Sequence, residues 1–189
     1  MQEYLKEDEI IDFSNPDIQK LAKELAKECT NDEQIAKKCF LYVRDEIRHV
    51  GDYKLDIQSI SASDVLKNKA GWCYAKAHLL AALLRANGIP TALCYQRLSC
   101  SEYEKGIYCL HGLNGVYLKE HGWYRVDSRG NKEGVDAQFT PPIEKLAFEK
   151  GENEYDIEGF FDKPLDVIIE KLEKNDTYEK MKGDFPDYK

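Results

Sequence analysis

Residues 70–88, Ala-Gly-Trp-Cys-Tyr-Ala-Lys-Ala-His-Leu-Leu-Ala-Ala-Leu-Leu-Arg-Ala-Asn-Gly, constrain this chain more than any other stretch. Ala77, Leu80, Ala81 and Leu84 recur at helical spacing, Gly88 and Pro90 stop the pattern, and Gly71 permits a close turn ahead of it. The pattern predicts a buried helix with Cys73 in its first turn. Unpaired backbone N–H groups and the positive end of the helix dipole favour thiolate over thiol there. Free cysteine is also a common core filler, so position alone leaves Cys73 open between nucleophile and packing.

Two downstream residues decide between them. His111, in Tyr-Cys-Leu-His-Gly-Leu, and Asp127, in Gly-Trp-Tyr-Arg-Val-Asp, each fall in a segment that reads as a strand. The chain order is Cys, His, Asp. A thiol needs a base to take its proton, and the base needs an acceptor to hold its ring. These residues, with Leu-Leu-Ala-Ala-Leu-Leu-Arg-Ala-Asn-Gly-Ile-Pro after the cysteine and Trp123 shortly before Asp127, resemble the transglutaminase-like superfamily over about Ser61 to Arg129. The resemblance implies an α+β, papain-like cysteine proteinase fold, with N-terminal helices and a nucleophile helix packed on an antiparallel sheet. It implies Cys73 as nucleophile, His111 as general base and Asp127 as the residue that orients it. Where the family often carries an aromatic and then an acidic residue after its histidine, this chain has Leu113 and Gly115.

Length and composition fit that reading. A chain of 189 residues, 42% hydrophobic, suits one domain with a sizeable core. We expect a single domain over 1–189, its core at about 61–129, with 130–189 as a covering segment and C-terminal helix. Six cysteines without regular spacing give no disulfide framework, so reduced thiols and a cytoplasmic location are expected. The acidic N-terminus lacks an apolar run, which gives no support for a membrane anchor or export signal. A formal net charge of -8, with lysines interleaved among acids, disfavours nucleic acid as a partner. The expected partner is a peptide or protein amide substrate, and no cofactor is implied.

Around the central stretch, Ser14-Asn15-Pro16-Asp17 reads as a helix start, and Thr30-Asn31-Asp32-Glu33 as a capping box opening a second helix to about residue 48. His49 reads as a cation at that helix's end with no catalytic role. Ser61 or Ser63 caps a short helix leading to Gly71. Thr91–Leu98 reads as a central strand, and Ile107–Leu118 with Trp123–Asp127 as an antiparallel hairpin. Ser99–Gly106 is a polar loop in which Tyr103 is a candidate cleft wall. His78 reads as structural or exposed and His121 as exposed. Residues 130–160 read as a long covering segment with short extended pieces, where Asp136, Phe139 and Tyr155 are candidates to shape entry. Pro164–Lys174 reads as a helix, and the last dozen residues as loose.

Attack on a carbonyl requires an oxyanion hole. The Cys73 backbone N–H is one donor; Gln58 is the preferred second, with Tyr53 and the Trp72 indole as alternatives. Trp123 shares a strand face with Asp127 by period two and is a candidate lining residue. The favoured activity is acyl transfer from peptide or glutamine-type amides through a thioester, leaning to hydrolysis by a peptidase or amidase. Protein-glutamine transglutamination is the alternative, followed by arylamine-type N-acetyl transfer. Outside enzymes stand a metal site of Cys73, Cys94, Cys100, Cys109 and His111, which lacks any CxxC pair, and a binding module without catalysis.

Overall fold

The computed structural model describes residues 1–100 and 106–187. The Tyr103 expectation lies outside them. Two amphipathic helices, α1 (Pro16–Ala26) and α2 (Asp32–Glu46), open the fold after a single 3₁₀ turn at Glu3–Leu5. Asn15 caps α1 by accepting from the Asp17 N–H, with Pro16 in the first turn. The cap of α2 lies one residue beyond the predicted capping box: Asn31 accepts from the Gln34 N–H, while the Gln34 side chain turns back to the Thr30 N–H. The helix stops at Glu46, so His49 does not close it; instead β1 (Arg48–His49) runs parallel to β2 (Ala70–Gly71). Between them lie α3 (Val50–Tyr53) and α4 (Ala62–Asn68), the latter capped by a Ser61–Asp64 capping box.

Helix α5 (Cys73–Ala86) is buried along almost its whole length, enclosed by α1, α2 and α4 on one side and the sheet on the other. Gly88, at φ 73°, ends it in the left-handed conformation that glycine adopts without strain. The main sheet is antiparallel, in the order β5-β4-β3-β6, built from β3 (Thr91–Ser99), β4 (Tyr108–Leu118), β5 (Gly122–Val126) and β6 (Tyr155–Phe161). The central strand and the hairpin stand as the sequence predicts. Strand β6 is an extended piece of the expected covering segment, but its pairing with β3, which makes that strand central, was not predicted. Phe139 is also core, packed on Phe40 and Tyr124, rather than a wall of an entry channel.

Helix α6 (Asp166–Lys174) buries Ile168 and Leu172, and α7 (Tyr178–Lys182) buries Tyr178 and Met181. The expectation of a loose C-terminal stretch is therefore corrected for residues 178–187: apolar burial in α7 holds them, and Pro186 accepts a hydrogen bond from the Leu110 N–H. The expectation of uniformly reduced thiols is corrected as well. Pairing of β3 with β4 sets Cys100 and Cys109 with their Cα atoms 6.0 Å apart, a spacing disulfides use, and the two are bonded. The cysteine-based ground for a reducing compartment falls with that pair. Among the described residues no helix is long and apolar enough to cross a membrane.

Candidate active site

Cys73 is the first residue of α5, and Trp72 precedes it without a capping side chain. No acidic residue occupies the first turn, so nothing neutralises the positive helix end that the sulfur meets. His111 reaches the same point from β4. This approach depends on Gly112: a Cβ there would lie 2.9 Å from the Tyr74 Cα, a clash with backbone. Without a side chain, β4 comes close enough for the Gly112 N–H to lie 3.5 Å from the Cys73 sulfur, while the Tyr74 hydroxyl donates to the Leu110 carbonyl at 2.6 Å.

The His111 Nε2 donates to Asp127 Oδ2 at 2.7 Å, and its other ring nitrogen is left for hydrogen bonding to Cys73. Burial opposes charging of this ring. The Asp127 carboxylate and the Cys73 sulfur outweigh burial and hold the imidazole's pKa up at about 10. Asp127 is fully buried, yet it accepts from three donors: His111, the Arg129 N–H at 3.1 Å and the Ala147 N–H at 3.1 Å. Its burial favours the neutral acid, but the imidazolium and these N–H groups keep its pKa below the usual carboxylate value. The Arg129 contact is an Asx-type turn, so Asp127 shapes the turn after β5 as well as holding His111.

A cavity of about 280 Å³ opens over these groups. Cys73, Trp72, His111, Phe148 and Phe185 line it, with Glu149 and Glu154 on one side. Phe148 stands edge-on to His111 at 5.2 Å, and its ring lies 5.4 Å from the Arg129 guanidinium. Arg129 grips Asp52 with two hydrogen bonds of 2.7 and 2.8 Å, tying α3 to the segment after β5.

The structure thus brings together Cys73, His111, Asp127 and Trp72. It separates three other predicted residues. Gln58 is exposed and donates to the Leu172 and Glu173 carbonyls, serving the C-terminal end of α6 rather than an oxyanion. Tyr53 is likewise exposed. Trp123 lies outside the cavity, stacked on Phe160 at 4.4 Å with Tyr4 and Tyr117 at its edges. The period-two expectation fails because β5 ends at Val126, so Asp127 no longer follows the strand's alternation.

Sequence reasoning missed His49, Lys76, Phe148 and Phe185. His49 is buried and lines the cavity edge-on to Trp72 at 5.5 Å; burial first, then Arg129, drives its pKa well below the ordinary value. It is therefore neutral near pH 7 and not a helix-end cation. Lys76 is fully buried one turn after Cys73 and donates to the Ile47 and Arg44 carbonyls; burial brings its pKa down to about 7. His78 is structural, with Nδ1 2.8 Å from the Ile60 carbonyl, and His121 is partly covered beside Glu33. The alternative metal constellation is not assembled, since Cys100 and Cys109 bond to each other and no metal-holding group forms among the described residues.

A thiol on the first turn of a buried helix, facing an imidazole on an antiparallel sheet and a carboxylate just past its edge strand, is the arrangement that cysteine-dependent enzymes of papain-like architecture use. A profile of the transglutaminase-like superfamily matches residues 19–128, more than half of the chain, and the protein belongs to that superfamily. The match begins well before Ser61 and takes in most of α1 and all of α2. A proposed cysteine protease from Cytophaga hutchinsonii shares the fold, with a TM-score of 0.51 at 21% identity over 67% of this chain and 40% of that one. The periplasmic domain of TgpA from Pseudomonas aeruginosa gives a TM-score of 0.48 at 21% identity, over 66% of this chain and 45% of that one. A proposed protease from Parabacteroides distasonis gives 0.46 at 14% identity, over 74% and 30%. The chain spans less than half the length of each of these structures. No curated protein matches it significantly.

Proposed function

We propose that the protein is a cysteine-dependent acyl-transfer enzyme that attacks peptide or glutamine-type amide carbonyls and resolves the thioester with water. The observation that carries this is the position of His111, shared between the Cys73 sulfur and a buried carboxylate. In that arrangement the Cys73 thiolate adds to the carbonyl carbon, and the carbonyl electrons move to oxygen. The backbone N–H groups at the start of α5 stabilise this oxyanion. His111 then protonates the departing amine as the C–N bond breaks, leaving a thioester and a neutral imidazole. Water, deprotonated by His111, releases the acid and restores the thiolate–imidazolium pair.

Glu149 and Glu154 leave one wall of the cavity polar, which supports access by water. The same two carboxylates favour a second reading, because they would attract a lysine ammonium as acyl acceptor. Incubation with a glutamine-containing peptide and a fluorescent primary amine separates the readings: free acid and ammonia support hydrolysis, and amine incorporation supports transamidation. Cys73→Ala should lower either rate on the order of 10³-fold or more. A variant retaining wild-type turnover would refute the mechanism.

A further inference from the structure

Strand β4 runs Tyr108–Leu118, but β5 pairs only with its Asn114–Leu118 half. The remaining half, which carries His111, presents beside the cavity an edge that no strand among the described residues pairs. An unpaired strand edge is a template for an extended peptide, with backbone hydrogen bonds for affinity and pockets for side chains. Residues 183–187 of this chain already use that edge. The Leu110 N–H, one residue before His111, donates to the Pro186 carbonyl at 2.8 Å. Phe185 enters the cavity and meets Trp72 edge-on at 5.4 Å.

Both ends of the segment are clamped. Asp184 binds Lys171 and Lys174 on α6. Asp187 accepts two hydrogen bonds from Arg97 on β3, at 2.7 and 2.9 Å. Phe185 and Pro186 are thus suspended between two ion-paired aspartates, across the catalytic cleft. We propose that Asp184–Asp187 is an intramolecular competitor occupying a peptide subsite, and that the substrate is an extended peptide whose aromatic side chain replaces Phe185 against Trp72. The identity of the displacing ligand rests on the acyl-transfer reading; the strap itself rests on the contacts above.

The test uses the full chain with Asp187→Asn, which removes one clamp, and Phe185→Ala, which empties the pocket. Cys73 alkylation by iodoacetamide and hydrogen exchange at the Leu110 amide are measured in each, with Lys23→Ala on α1 as a control away from the strap. Release of the strap predicts alkylation roughly three- to tenfold faster in both variants and loss of protection at Leu110, with the control unchanged. Added Gly-Asp-Phe-Pro-Asp peptide should restore protection in Phe185→Ala. Unchanged alkylation in Asp187→Asn, or no protection by the peptide, overturns the proposal. Alkylation reports access to sulfur alone. A variant that alkylates faster yet cleaves no amide counts against the proposed activity and leaves the strap standing; normal cleavage with unchanged alkylation does the reverse.

Discussion

At the scale of single residues, the site depends on a proton held against burial. An isolated buried imidazole loses its charge, as His49 does; His111 keeps it because Asp127 and Cys73 face it. Its folded pKa of about 10 lies above the ordinary 6.5, so protonated His111 stabilises the fold fully below pH 6.5, and that contribution is lost as pH rises through about 10. Asp127→Asn removes the larger opposing charge, and the imidazole midpoint followed by NMR should fall by roughly 1–3 pH units. A midpoint that stays in place would show that Asp127 does not hold the ring. Cys73, His111 and Asp127 were legible in the sequence through their order and their neighbours. His49 and Lys76 were not, because their environments come from partners distant in sequence: Trp72 for the first, Ile47 and Arg44 for the second.

At the scale of elements, the decisive contact is α5 against β4. Local signals predicted both, because the helix has its own periodicity and stop residues, and the hairpin its own turn. What no local signal revealed is why β4 carries glycines. Gly112 admits the Tyr74 backbone, and Gly115 makes room for Phe160, whose ring would lie 2.4 Å from a Cβ there. Gly112→Ala must push β4 away from the helix or tilt it. Because catalytic geometry tolerates little displacement, kcat/KM should fall by roughly 100-fold, more than thermal stability would suggest. Activity within a fewfold of wild type would show that the close approach is dispensable. The limits and partner of β6 escaped prediction because its acids and Gly159 dilute the strand pattern, and β3 lies far away in sequence.

At the scale of the whole molecule, the N-terminal arm, the sheet and α5 are joined through one guanidinium. Arg85, at the end of α5 and nearly fully buried, donates to the carbonyls of Thr91, Lys6 and Asp162. Arg85→Met should leave these buried acceptors unpaired and cost about 2–4 kcal/mol, measured by urea unfolding. A loss under about 0.5 kcal/mol would contradict that role. The fold class was readable because helix and strand periods segregate along the chain. The Arg85 hub and the clamp formed by Arg97 and Asp187 join segments whose sequences give no sign of each other.

The central claim is that His111 makes the Cys73 sulfur the reactive nucleophile of this chain. Burial pushes the thiols of Cys39 and Cys94 up to about 12, so neither competes near neutral pH. Site-resolved iodoacetamide labelling across pH, in the wild type and in His111→Ala, tests the claim directly. The account predicts that Cys73 labels first near pH 7 and that His111→Ala slows it by at least about tenfold. Equal labelling of Cys73 and Cys39, or an unchanged Cys73 rate in His111→Ala, would contradict it.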